Sequence, residues 1–357
     1  MEQSQNIKNP RKKNYKWFIG IDVSKHTLDY TIIHKDQFLL HHRGKNEKQE
    51  ILQFITEIKK NAKVRLGSTV FCMEAIGNYG EHLRFVVKKL KGEIAIVNPK
   101  IIKNFLGTTR GKDDKTDSMR IALYAQKNLN ELYFWSPERA AISELRRLFV
   151  LRDRMLTTSV ALNSPLREQR NFVHSSVYRQ STQLCARSLA AIQLDMENIN
   201  ACIDKVIAAD QEINRLMTLM LSVVGIGRIT ALLILMTTNE FKNISNAKKF
   251  ACYAGIAPFK NESGIIRKKT RVSDFANKKM KSLLHMCALS AIKCDYELKD
   301  YFERKSRDGK PKLVVINAIR YKLIARIFSC VGQNRLYERK IKKEELTAVE
   351  LDCTQSL

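Results

Sequence analysis

WFIGIDVSKHTLDYTIIHKDQFLLHHRG, residues 17–44, decides the fold of the first third of the chain. Three short stretches rich in β-branched and aromatic residues are separated by turn formers, the pattern of an antiparallel meander. Next along the chain, residues 47–62 carry Ile51, Phe54, Ile55 and Ile58 at helical spacing. STVFCMEAIG (68–77), YGEHLRFVVKKLKG (79–92) and EIAIVNP (93–99) then read as strand, helix and strand, and helical sequence resumes at Lys100 and passes through DDKTDSMRIALYAQKNL (113–129). A meander followed by alternating helices and strands predicts an α/β domain.

That order suits the ribonuclease H type of α/β unit, in which carboxylates are displayed at strand ends. The acids fit. Asp22 ends the apolar start GID, Glu74 follows TVFCM, and Asp114 and Asp117 lie three apart, on one face of a helix. Carboxylates are the usual ligands of Mg²⁺, and two such ions about 3.5–4 Å apart clamp the attacking and leaving oxygens of a phosphodiester. The competing reading is local: acids at strand ends form turns, and acids in a first helical turn favour the dipole without chemistry.

A second region opens at Ser136 with SPERAAISELRRLFVLRDRML, where Ser then Pro marks a helix start. Leu189, Ile192, Met196, Ile199, Ile203, Val206, Asp210, Ile213, Met217 and Met220 then alternate spacings of three and four, broken in chemistry only by Asp210. Such a seam predicts a coiled coil, formed either with another subunit or as a hairpin with the Ser136 helix. In LSVVGIGRITALLILM (221–236), Gly225 and Gly227 form a helix-hairpin-helix-like turn. Its amides could approach a phosphate, or it could be a close packing turn. Beyond Pro258 the chain turns basic, with Lys260, Arg267, Lys268, Lys269, Arg271, Lys278, Lys279 and Lys281 against Glu262 and Asp274. A final helical stretch, PKLVVINAIRYKLIARIFSCV (311–331), precedes a charged tail. The expected domains are 16–130 (catalytic α/β), 136–220 (helical, oligomerising), 221–336 (mainly α) and the tail 337–357.

The chain of 357 residues carries 63 Lys and Arg against 36 Asp and Glu, a net charge of +27, so it presents positive fields to a polyanion. Nucleic acid is the partner this implies. No apolar run approaches the roughly 20 residues of a membrane span, and the basic N-terminus has no signal-peptide pattern. A cytoplasmic protein without a membrane partner is expected. Eight cysteines, none as CxxC, read as reduced, buried thiols rather than zinc ligands or disulfides.

GIDVSKHTLDYTI, MEAIGNYGEHL, VNPKIIKNFLGTTRGKDDKTDSMRIALYA, VVGIGRITALLILM and FACYAGIAPFKNESG resemble the DEDD insertion-sequence transposases, whose relatives include the Piv-type DNA invertases. The resemblance runs from about Trp17 to Gln333. It implies a RuvC-like N-terminal domain, a coiled-coil connection and a C-terminal transposase domain with a nucleophilic serine. The family's first Asp falls on Asp22 and its Glu on Glu74. Its KTDxxDAxxIA stretch falls on Lys112 to Ala122, placing the last two acids at Asp114 and Asp117; a register starting at Lys115 would put Arg120 at an acid position. The serine falls on Ser263. The family's later Ser–Lys–x–Gly element reads Ser273, Asp274, Phe275 and Ala276 here, and a nearby Arg is Lys281, which are departures from the pattern. The resemblance also implies two Mg²⁺ ions, with Mn²⁺ as a substitute, a structured guide RNA, element and target DNA, and a homo-oligomer, dimer or tetramer. Two other functions fit the residues: an invertase or junction nuclease acting through metal-activated water, and a non-catalytic nucleic-acid-binding protein.

Overall fold

The computed structural model describes residues 14–75, 77–106, 113–263, 266–272 and 276–339, with backbone alone for 106 and 260–271. Contacts divide the chain between Pro137 and Glu138.

The first unit contains β1 (Trp17–Val23), β2 (Thr27–His34), β3 (Gln37–Lys45), α1 (Lys48–Asn61), β4 (Thr69–Glu74), α2 (Glu81–Lys89), β5 (Glu93–Val97), α3 (Pro99–Leu106) and α4 (Asp114–Lys127). One sheet has the order β3-β2-β1-β4-β5. β1, β2 and β3 are antiparallel, whereas β4 runs parallel to β1 and β5 to β4. This is the ribonuclease H and RuvC-like arrangement that the meander and the following alternation predict. The β2–β3 connection is a two-residue turn in which Lys35 and Asp36 both take positive φ, the geometry whose twist matches a hairpin.

Alternation of side chains divides the sheet residues between two cores. Ile19, Ile21, Leu28, Tyr30, Phe71 and Met73 face the amphipathic helices α1 and α2, where Ile51, Phe54, Ile55 and Ile58 are all buried. Phe18, Ile33, Val70, Cys72 and Ala95 face Ile121, Ala122 and Ala125 of α4.

The second unit contains α5 (Ala140–Gln169), α6 (Ser175–Ala209), α7 (Gln211–Leu221), α8 (Arg228–Thr238), α9 (Ala247–Tyr253), β6 (Pro258–Ser263), β7 (Ile266–Val272), α10 (Lys278–Cys294), α11 (Tyr296–Arg307) and α12 (Lys312–Gln333). α5 and α6 pack on each other along a hairpin joined by a short connection. The seam read as continuous from Leu189 to Met220 is two helices, because Asp210 leaves helical geometry and accepts the Ile213 N–H at 3.0 Å as the cap of α7. Ile142, Leu145, Phe149, Ile199, Ile203 and Ile207 at the base of the hairpin share one core with α7, α8, α10 and α12. Further out along the hairpin Val160, Leu184 and Leu194 are exposed, whereas Leu166 is buried.

The mainly helical C-terminal region also holds a β-hairpin, β6 and β7, in the basic run for which the sequence announced no strand. Among the described cysteines Cys72, Cys287 and Cys330 are buried as expected, but Cys202, Cys252 and Cys294 are exposed. No helix among the described residues is long and apolar enough to cross a membrane.

Candidate active site

Three strands set one row of charge across the sheet: Arg43 on β3 pairs in register with Asp29 on β2, and Asp29 with Asp22 on β1. Directly opposed residues share a face, so this row lies on the side covered by α4. Glu74, at the end of β4, has the same parity as Val70 and Cys72 and belongs to that face too. α4 is seated by two devices. Gly20 leaves no space above it, since an added Cβ would lie 2.2 Å from the Ala122 nitrogen and from the Ser118 carbonyl. Buried Ser118 shares a 2.8 Å hydrogen bond with Thr31 of β2. The first turn of α4, bearing Asp114 and Asp117, is thereby carried to the strand ends that bear Asp22 and Glu74.

The proximity shows in the electrostatics. Burial, then the charges of Asp114, Asp117 and Asp29, push the Asp22 carboxyl up from 3.8 to about 6. Glu74 is also raised, by burial first and then by Asp22 and Asp117. Two arginines engage the α4 acids: Arg120 donates to Asp117 at 3.1 Å, and Arg43 lies 3.6 Å from Asp114. Among the described residues no three Asp, Glu, His or Cys side chains converge closely enough to hold an ion. The acids are gathered at one end of the sheet, and the two on α4 are each engaged by an arginine. Their chemistry suits a divalent cation: hard carboxylate oxygens, of which those of Asp22 and Glu74 are partly desolvated and pushed up by the neighbouring acids, gain most from a bound positive charge.

Three residues of this region escaped the sequence reading. Asp29 is almost fully buried, with His41 at 3.2 Å and Arg43 at 3.7 Å. An acid in the middle of the β-rich run TLDYTIIH was its available signal. Arg43 was invisible because its partners come from other elements. Buried Asn46 donates to the carbonyls of Ser24 and Tyr79 at 3.0 and 2.9 Å, tying together the loops that follow β1 and β4.

In the second unit, Ser263 is the last residue of β6 and pairs with Ile266 across the hairpin. The side chains of Ser263, Lys260, Arg267, Lys268, Lys269 and Arg271 lie outside the described residues, as do Lys112, Ser273, Asp274 and Phe275. Lys278, Lys279 and Lys281 occupy the first turn of α10. The Lys279 ammonium is engaged by Asp153 and lies 4.5 Å over the Phe149 ring. Gly225 has φ +90°, and an added Cβ there would meet Ala291 and the Cys287 carbonyl at under 3 Å, so close packing on α10 accounts for this glycine. Gly227 precedes α8 as its exposed cap, with open space where a Cβ would stand.

The chain is similar to transposases along most of its length. A transposase model of the IS110 DEDD type matches residues 19–173, and a model described as "Transposase IS116/IS110/IS902 family" matches residues 217–303. In both stretches the chain is similar to transposases of the IS110 type. Over 335 residues it is 26% identical to the pilin gene-inverting proteins of Moraxella bovis and Moraxella lacunata, covering 91% of this chain and 99% of each relative. Thermus thermophilus RuvC solved with a Holliday junction substrate matches 34% of this chain and 100% of its own, at 14% identity and a TM-score of 0.27. That score is too low to bear on the fold assignment, which rests on strand order and direction.

Proposed function

We propose that this protein cuts and rejoins DNA so as to move or invert a segment, using Asp22, Glu74, Asp114 and Asp117 to hold divalent cations and Ser263 as nucleophile. The observation that carries the proposal is the gathering of the four acids at one sheet end, where Asp114 and Asp117 raise the proton affinity of Asp22 and where Asp22 and Asp117 raise that of Glu74. Such a set of ligands matches two Mg²⁺ ions, for which Mn²⁺ is a substitute. When bound, the ions would stabilise negative charge building on the phosphate oxygens.

Ser263 Oγ attacks the scissile phosphorus and gives up its proton, a bridging P–O bond breaks, and the departing strand leaves with a hydroxyl. The phosphodiester bond energy is kept in the serine ester. Attack by a hydroxyl from another strand then releases the serine and completes exchange. The lysines at the start of α10 support a nucleic-acid contact, because cations in a first helical turn oppose the dipole and gain from an anionic partner. A guide RNA, a homodimer or homotetramer, and action on DNA in the cytoplasm complete the reading. The same chemistry serves inversion, the role in the names of the relatives matched over nearly the whole chain.

Incubating the full chain with Mg²⁺, candidate guide RNA and DNA carrying the element ends, followed by denaturing electrophoresis, tests it. A covalent protein–DNA species should form with the wild type and vanish with Ser263→Ala. Cleavage that persists in Ser263→Ala without such a species would assign the reaction to water.

A further inference from the structure

Arg43 lies between two acids from different elements, with Nε 3.7 Å from Asp29 and Nη2 3.6 Å from Asp114. Asp29 is buried, with its side chain 5% exposed, and is fixed by its place in β2. Asp114 is 44% exposed, in the first turn of α4, so solvent screens its pairing with Arg43 and makes it the weaker of the two associations. The Arg43 side chain is 57% exposed and comes from an edge strand, so it can leave Asp114 without disturbing a packed core.

We propose that Arg43 is a built-in counter-cation that competes with a divalent ion for Asp114. This rests on the ion-binding reading above. Five acids, Asp22, Asp29, Glu74, Asp114 and Asp117, gather here, and Asp22, Glu74, Asp114 and Asp117 need a positive charge among them to relieve their repulsion. A guanidinium cannot be deprotonated at ordinary pH, so Arg43 supplies that charge permanently. Asp114 cannot give its full charge both to Arg43 and to an ion, and the two associations are therefore negatively linked. Asp29 keeps Arg43 within reach when Asp114 changes partner. Arg43 is thus a positioning residue: it sets how readily the acids accept an ion.

Mn²⁺ binding to the full-length protein without DNA, measured by titration calorimetry and by the electron paramagnetic resonance of free Mn²⁺, tests this. Arg43→Ala should bind Mn²⁺ about 5-fold or more tightly than wild type. Arg43→Gln, which keeps donors for Asp29 but loses the charge, should do the same, and guards against misfolding of the alanine variant. Lys45→Ala removes a charge two residues along the same strand, exposed and outside the acid cluster, and should change affinity by less than about 2-fold at physiological salt. Equal or weaker Mn²⁺ binding by folded Arg43→Gln, or an equal gain in Lys45→Ala, would overturn the proposal. Asp22→Asn separates the two levels: wild type that binds no Mn²⁺, or binds it as Asp22→Asn does, removes the ion site itself and the competition with it. Binding that is lost in Asp22→Asn but unmoved in Arg43→Gln removes the competition alone.

Discussion

Gly20 on β1 lies directly beneath Ala122 on α4, so close that a Cβ on Gly20 would stand 2.2 Å from the Ala122 nitrogen. This contact sets how near the α4 acids come to Asp22. Gly20→Ala must lift α4 or bend β1. The expected cost is about 1–3 kcal/mol of stability, the usual range for overpacking. A denaturant melt measures it, and DNA cleavage should fall further than stability because Asp114 and Asp117 move with the helix. Unchanged stability would mean that α4 does not rest on β1 in this way.

The raised Asp22 carboxyl makes a prediction about pH. Its folded value is about 6, above the ordinary 3.8, so between these values the folded state binds more protons than the unfolded one. Stability from this group therefore falls as pH rises through that window, and stays low above it. Without divalent ions, Asp22→Asn should melt above wild type at pH 7 and lose that advantage at pH 4. Added Mg²⁺ should raise the wild-type melting temperature at pH 7 and leave that of Asp22→Asn nearly unmoved.

Arg139 offers a test of the second unit. It precedes α5, donates to Asp210 at 2.8 and 3.0 Å, and donates to Glu240 at 3.0 Å, whose side chain is 1% exposed. Arg139→Ala leaves that buried carboxylate with Lys242 at 2.7 Å as its remaining cation. The expected loss is about 2–3 kcal/mol, below the figure for a fully buried pair because the Arg139 side chain is 41% exposed. Chemical unfolding of the variant checks it.

The fold of the first unit was legible because its signals are local. The alternation in 17–44 and the spacing of Ile51, Phe54, Ile55 and Ile58 each report one strand or helix face, and all four of these side chains are buried. The neighbourhood of Asp22, Glu74, Asp114 and Asp117 was legible as a set of acids at element ends. Asp29 and Arg43 were not, because their importance depends on which strands become neighbours: Arg43 meets Asp29 through the β2–β3 register and Asp114 through the seating of α4. The seam through Asp210 misled for a related reason. Spacing of three and four continues across a helix break when the next helix packs on the same core, and only the Asp210 cap marks the interruption. The β6–β7 hairpin was hidden by charge, since lysines and arginines in a strand do not show the apolar alternation that announces one.

The most direct measurement is the rate of Mg²⁺-dependent cleavage of DNA carrying the element ends by Asp22→Asn, Glu74→Gln, Asp114→Asn and Asp117→Asn, each compared with wild type at equal folded fraction. The account predicts that every one of the four loses at least about 100-fold, the scale of a lost transition-state charge contact. Wild-type cleavage by folded Asp22→Asn would contradict it.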